Sequence, residues 1–383
     1  MIILKRIYNF KYLISMKKLI TGLIYVLMVF VCLCFSNHKP DIPEDSYKLE
    51  APEEIIIESF ENHDVIFLGE PHHIKQHLNF LISIIPSLYR AGVTNLGYEF
   101  LPYDRQNEID DLLCSDTFDL AKAKNLVVSV YFEWTEKEYV DVLYQVWKLN
   151  RGLNPADKKF RIIGLNNSKY WDSKRNQKWT EKDWADCLIN EVINKNEKAL
   201  VYCGTHHAIT KFQQPYFDSE NNTFGLARKD RIGHHIYSKI GERCMTVWLH
   251  HLWPDKNYRL SFIPCNGVLD SISKTIGKPF AFNTSLSELG RLTDSSSVYS
   301  KGYDKFELRL VADVYIVLNP ICESERTEYF EAVNSTNIEQ VNEQTKYFYD
   351  WSAMTPKQIN DSLLLFYHEG KERFENFKLI NCR

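Results

Sequence analysis

From about residue 54 onward, short apolar runs alternate with longer stretches in which apolar positions recur every three or four residues, as in βα units building a largely parallel sheet. Asp64–Glu70 (DVIFLGE) reads as the first strand. It leads into a helix over about 74–91, where Leu78, Leu81, Ile82, Ile85 and Leu88 hold one face and Gly92 ends it. Thr94–Phe100 (TNLGYEF) is the second strand. Helical patterns run through RQNEIDDLL and FDLAKAKNLVVSVY and over Thr135–Asn150, which opens at the capping-box spacing Thr135 to Glu138. FRIIGLNN is the third strand, Thr180–Asn196 a helix, and Ala199–Gly204 the fourth strand. Beyond it RIGHHIYSKIG reads as a helix, MTVWLHHLW as a fifth strand, PFAFNTS as a strand or loop, and VADVYIVLNP as a late strand. The tail from Glu323 is charged and helical in pattern, with a second capping box at Thr355 and Gln358.

The fold class is therefore α/β: a largely parallel central sheet flanked by helices over residues 54–322, with a helical C-terminal extension over 323–383 packed on it. With 44% hydrophobic residues the chain has ample apolar surface for such a core. Lys and Arg number 46 against 50 Asp and Glu, which leaves no basic field for nucleic acid.

Residues 1–35 contain no acid, several cations and an apolar run from Leu19 to Phe35. That is an export pattern, with Met16 expected as the start and 36–53 a linker. The run is about 17 residues long, the lower edge of a bilayer span, and ends at Cys32 and Cys34. A bacterial lipoprotein signal lipidated on Cys34 or Cys32 is favoured, although Val31 and Leu33 stand where a small residue is expected. A retained anchor and a plain secreted form are the alternatives. Each places the body outside the cytoplasm, in the cell envelope and on the membrane if anchored. Loss of Lys5, Arg6, Lys11, Lys17 and Lys18 leaves 41 positive against 50 negative residues, an acidic body. The seven remaining cysteines carry no CxxC pair, so no zinc ribbon or disulfide framework is readable, and one bridge of unknown pairing is open to an exported chain.

In parallel α/β sheets ligands bind beyond the carboxyl ends of the strands, and those ends carry the chain's conspicuous polar residues. They are Glu70-Pro71-His72-His73, Glu99, Asn166-Asn167, Thr205-His206-His207 and His250-His251. Because successive strand residues face opposite ways, at most one histidine of each adjacent pair is expected in a shared site. Cys203, inside an apolar strand, reads as a small buried hydrophobe rather than a nucleophile, and no GxSxG elbow is present. His234-His235 lies in a predicted helix and is given little weight.

These motifs resemble the superfamily of ChaN-like haem-binding lipoproteins, erythromycin esterases and the Tiki and TraB proteins, over about residues 55–320. LGEPHHIKQH is similar to the family's GExH with a later histidine, assigning Gly69, Glu70, His72 and His77; GYEF gives Glu99; CGTHHA is similar to the later GxxH, giving Gly204 and His207. The chain departs from the family in having His73 after the GExH histidine and Asn166 at the end of the third strand, where an Asp is usual. The resemblance implies either hydrolysis or haem binding, the latter through a tyrosine that cannot be placed among 22.

Glu70, His72, Glu99 and His207 suit hydrolysis of an ester or amide in a small-molecule or peptide ligand. In a metal-free form His72 takes the proton from water and His207 polarises the oxyanion or protonates the leaving group. In a metal-assisted form His72, Glu99 and His207 hold a divalent transition metal. His77, Asn166, His206 and His250 are expected to line the ligand site. The alternative is a haem- or metal-binding uptake lipoprotein without catalysis, and a third reading is a scaffold that kept the fold and lost the chemistry.

Overall fold

The computed structural model describes residues 46–168, 179–218, 223–226, 230–346 and 349–382. The export segment with Cys32 and Cys34 lies outside the described residues, and among those described no helix is long and apolar enough to cross a membrane.

Seven strands form the central sheet: β1 (Val65–Glu70), β2 (Asn95–Pro102), β3 (Arg161–Asn166), β4 (Ala199–Gly204), β7 (Cys244–Leu249), β10 (Phe280–Asn283) and β11 (Val314–Val317). Their order is β10-β11-β7-β1-β4-β2-β3. All neighbours pair parallel except β10, which runs antiparallel to β11 at one edge. The segment PFAFNTS, ambiguous from its pattern, is thus the edge strand β10. Two small hairpins, β5 (Pro215–Asp218) with β6 (Thr223–Leu226) and β8 (Trp253–Pro254) with β9 (Ser261–Phe262), stand apart.

The two-residue period of the central strands sorts their side chains onto two faces. Ile66 and Leu68 of β1 and Leu200 and Tyr202 of β4 join one core. That core also holds residues of α1 (Pro52–Ser59), α2 (Lys75–Arg90), α3 (Gln106–Cys114), α4 (Leu120–Val130) and α5 (Lys137–Gly152). Val65, Phe67, Val201 and Cys203 face the other way, onto α6 (Glu181–Glu191) and α7 (Ile232–Ile240). Both faces are covered, which is why these strands read as continuous apolar runs.

Beyond α8 (Val268–Ile276), the C-terminal segment is only partly helical. Residues 326–337 form neither helix nor named strand before α9 (Ile338–Thr345) and α10 (Pro356–Asn381), and Phe330, Val333, Val341, Trp351, Ile359 and Leu363 are buried in the first core. The Thr355–Gln358 capping box is formed. The Thr135–Glu138 box is not: α5 begins at Lys137 without a side-chain cap, and Glu138 Oε2 instead accepts from the Glu328 backbone at 2.8 Å. The tail competes for the residue that would have closed the helix end. One disulfide is present among the described residues, Cys322–Cys382, across a separation of 60 residues.

Candidate active site

Three central strands end side by side, and each delivers one part of the site. Glu70, the last residue of β1, is opposite Gly204, the last of β4. After Glu70 the chain turns through Pro71 to His72 and His73, the latter at φ 72° with its N–H donating to the Tyr139 hydroxyl at 2.9 Å. After Gly204 a tight turn returns His207, whose N–H donates to Gly204 O at 2.9 Å. At the end of β2 the register with β3 slips between Tyr98 and Pro102, around Glu99. Gly164 of β3 permits the slip, since a Cβ there would lie 2.8 Å from Leu101 O.

The result is two His–Glu pairs meeting at a third carboxylate. His72 Nδ1 hydrogen-bonds Glu70 Oε1 at 2.8 Å, and Glu70, fully buried, also accepts from the Tyr139 hydroxyl at 3.4 Å. His207 Nδ1 lies 2.9 Å from Glu181 Oε2. Both Nε2 atoms face Glu99 Oε1, at 3.9 Å from His72 and 3.7 Å from His207. The other oxygen of Glu99 accepts a 2.6 Å hydrogen bond from the Gly204 N–H. Gly204 has to be glycine because a Cβ there would sit 2.9 Å from His72 Cε1 and 3.3 Å from His207 Cδ2.

Burial disfavours a charged His72, but the Glu99, Glu70 and Glu136 carboxylates outweigh it and raise the imidazolium to about 9. His207 is also raised: burial opposes its charge, Glu99 and Glu181 favour it, and Arg231 opposes it. Glu181 is held down at about 2, burial being overcome by His207 and Arg231. Arg231 Nη1 contacts Glu181 Oε1 at 2.8 Å, and the Ile232 N–H donates to Oε2 at 2.9 Å. The start of α7 thus anchors the first residue of α6, and through it the ring of His207.

A cleft of about 670 Å³ opens over Glu99 and His207. Asn166 lies on its wall with Tyr131, Trp134, Trp179, Trp184 and Arg231. Trp134 packs edge-on against His72 at 4.9 Å and Trp184 lies 4.8 Å from His207, so each imidazole has its own tryptophan.

Glu70, His72, Glu99 and His207 therefore converge; Glu99, His207 and Asn166 line the cleft, whereas Glu70 is fully buried and neither it nor His72 is on the cleft wall. His77, His206 and His250 do not line it. His250 lies between Asp270 at 2.9 Å and the Tyr315 hydroxyl at 3.1 Å, and His206 contacts the Tyr299 hydroxyl at 2.8 Å. His77 is buried on α2, and burial, helped by His251 and His250, depresses it to about 3. His206 is likewise about 3, through burial and then Arg231. Both are neutral imidazoles packed in the fold. His235, given little weight in the sequence, borders the cleft.

Sequence reasoning missed Glu181, Arg231, Trp134 and Trp184. Glu181 follows Thr180, which with Asp183 forms a capping box, so the first turn of this helix was marked by its residues. Nothing local marked its carboxylate as the partner of a histidine 26 residues away.

The class these features define is an α/β protein in which two His–Glu pairs meet at the Glu99 carboxylate near the strand ends, beside a cleft lined by Glu99, Glu181 and His207. No protein-family model and no curated protein matches the chain. Solved structures do match, over about 70% of its length. The erythromycin esterase EreC, in its open conformation, is 12% identical, with 72% of this chain and 94% of that chain covered and a TM-score of 0.48. ChaN of Campylobacter jejuni, solved with cofacial haem, is 15% identical, covering 70% and 91% at a TM-score of 0.39. A succinoglycan biosynthesis protein is 10% identical, covering 70% and 90% at 0.47. Of the groups named from the motifs, ChaN and the erythromycin esterases are thus among the structures this chain is similar to.

Proposed function

We propose that the chain is a hydrolase of esters or amides working by general acid–base catalysis. One observation carries this: the imidazoles of His72 and His207 bring Nε2 to 3.9 and 3.7 Å from one Glu99 oxygen, while Nδ1 of His72 hydrogen-bonds Glu70 and Nδ1 of His207 lies 2.9 Å from Glu181. Neutral His207, its Nδ1 beside the Glu181 carboxylate, takes a proton from water at Nε2 as the water oxygen attacks the substrate carbonyl. His72, kept protonated by Glu70 and Glu99, donates to the developing oxyanion. His207 then returns the proton to the leaving oxygen or nitrogen as the carbonyl re-forms, so the products are an acid and an alcohol or amine. These roles reverse those expected from sequence, because His207 lines the cleft while His72 is hydrogen-bonded to Glu70 and faces Glu99, which hold it as the imidazolium. General-base help of this kind is worth about 10²–10⁴ in rate.

Neither cofactor suggested by the motifs is used in this scheme. Among the described residues no group of three or more His, Cys, Asp or Glu side chains is arranged to hold a metal ion. For haem, Tyr131 is the one tyrosine on the described cleft wall. Burial and then Glu133 push its phenol well above the ordinary range.

The reading extends to an exported, envelope-attached protein acting on a small-molecule or peptide ligand. It is supported by the apolar N-terminal run with Cys32 and Cys34, and by the Cys322–Cys382 bridge, which suits an oxidising compartment. The test is titration of acid release from a panel of esters and amides by the intact chain, alongside His72→Gln and His207→Gln. Turnover abolished in both variants is expected; turnover that survives both overturns the assignment.

A further inference from the structure

Resting on that reading, we infer that the substrate is an O-acylated saccharide, an uncharged sugar ring bearing the ester to be cleaved. The cleft has aromatic walls from both faces of the sheet. Val130, Tyr131 and Trp134 follow from α4 on one face; Trp179 and Trp184 come from the start of α6 on the other. Trp179 is fixed by its indole N–H donating to Leu165 O at 2.8 Å, and Trp134 by edge contacts to Phe100 and Tyr139 at 4.9 and 5.4 Å. Rigid aromatic walls on two sides suit a flat ring presenting C–H faces rather than a flexible acyl chain.

Charge narrows the class. The described wall carries the cations Lys182 and Arg231, and both are engaged: Lys182 with Asp186 at 2.6 Å, Arg231 with Glu181 at 2.8 Å. With Glu99, Glu181 and Asp230 also on the described wall, a phosphate, sulfate or carboxylate on the substrate meets three acids there and two cations already paired with carboxylates. The polar remainder, Asn166, Thr180, Asp230 and His235, offers both donors and acceptors, as a polyol requires and a plain aryl or alkyl ester does not. The ester would lie over Glu99, between the two Nε2 atoms, with the sugar ring between the aromatic walls.

The experiment follows acetate release by the full chain from acetylated xylo-oligosaccharides, phenyl acetate and ethyl acetate, and measures tryptophan fluorescence on adding the deacetylated oligosaccharide. The expected results are a higher kcat/KM for the oligosaccharide than for either simple ester, and saturable fluorescence quenching. Trp179→Ala is expected to raise KM for the oligosaccharide by about tenfold more than KM for ethyl acetate. Trp184→Phe, which keeps an aromatic ring in the packed position, serves as a second variant with a smaller rise. Equal or better cleavage of phenyl or ethyl acetate overturns the saccharide inference and leaves the hydrolase reading standing. Quenching without any acetate release overturns the hydrolase reading and supports the saccharide, and absence of both overturns both.

Discussion

Glu99 and Gly204 tie the ends of β2 and β4 together through a 2.6 Å hydrogen bond from the glycine N–H to Oε2, and this leaves Oε1 facing both histidines. The same glycine keeps the space into which the rings come, its missing Cβ lying 2.9 Å from His72 and 3.3 Å from His207. Gly204→Ala should therefore displace both imidazoles from Glu99. The cost in stability is that of overpacking, about 1–3 kcal/mol. The loss of kcat/KM should be about 10²-fold, because a misplacement of 1 Å already costs that much. Urea unfolding and steady-state kinetics on the same preparation separate the two; a variant with near-normal kcat/KM would show that the rings do not need this approach.

The two histidines set a bell-shaped pH profile. His207 must be neutral and His72 protonated, so activity rises as His207 loses its proton and falls as pH passes about 9, where His72 titrates. Glu70→Gln removes one of the carboxylates that hold His72 up, and the alkaline limb should move to lower pH. A limb that stays in place would assign it to another group.

Stability should follow the same groups. The folded-state value of His72 is raised above its unfolded one, so its contribution is full below about 6.5 and is lost as pH rises through about 9. Glu181 is depressed to about 2, so its contribution is full above about 4.5 and is lost as pH falls through about 2. Chemical denaturation across pH should show a decline on each side, with His72→Gln flattening the alkaline one.

Glu181 and Arg231 act on His207 in opposite senses. Glu181→Gln should lower the His207 titration midpoint and reduce kcat/KM by about 10²–10⁴, since the ring loses the acceptor that fixes its tautomer. Arg231→Gln should raise the midpoint, because the guanidinium disfavours the imidazolium. Proton NMR of the His207 ring reads both shifts, and Glu181→Asp should restore part of the activity if the role is orientation. Shifts in the same direction would mean that Glu181 and Arg231 only hold α6 to α7.

The parts of this site that were legible in the sequence are those attached to strand ends. Glu70, Glu99 and His207 could be placed because a strand's direction and two-residue period say where its last side chains emerge. The rule that adjacent histidines divide also held at two pairs: His72 and His207 enter the site, while His73 turns to Glu136 and His206 to Tyr299. It did not reveal that His250 and His251 both stay out, because only the packing of Asp270, Tyr315 and the Leu249 carbonyl against them shows it. Glu181, Arg231 and the tryptophans were illegible for a related reason. They come from helix starts and loops that approach across the sheet, and their partners are set by tertiary contacts at separations of 23 to 62 residues. The Thr135 capping box failed on the same ground, since its glutamate is taken by a backbone 190 residues away.

That distant backbone gives the last prediction. Residues 325–330 bond both loops behind His72: Glu325 O accepts from Lys75 N, Thr327 N donates to His73 O, Glu328 O accepts from Lys137 N, and Phe330 N donates to Thr135 O. From α10 the Tyr367 hydroxyl holds Thr327 O at 2.8 Å, and the Cys322–Cys382 bridge joins the end of α10 to the segment just before these residues. Opening the bridge releases a long loop in the unfolded chain, a change worth about 2–4 kcal/mol. Cys322→Ser with Cys382→Ser should thus lower stability by about that amount, and reductant should have little further effect on the variant. Because these residues support the His73 turn, the His72 ring resonance should also broaden or shift while His207, held by α6 and α7, keeps its own. Thermal unfolding with and without dithiothreitol, read beside the two ring spectra, tests both statements; equal perturbation of the two histidines would make the tail a general prop rather than a support for the His72 side of the site.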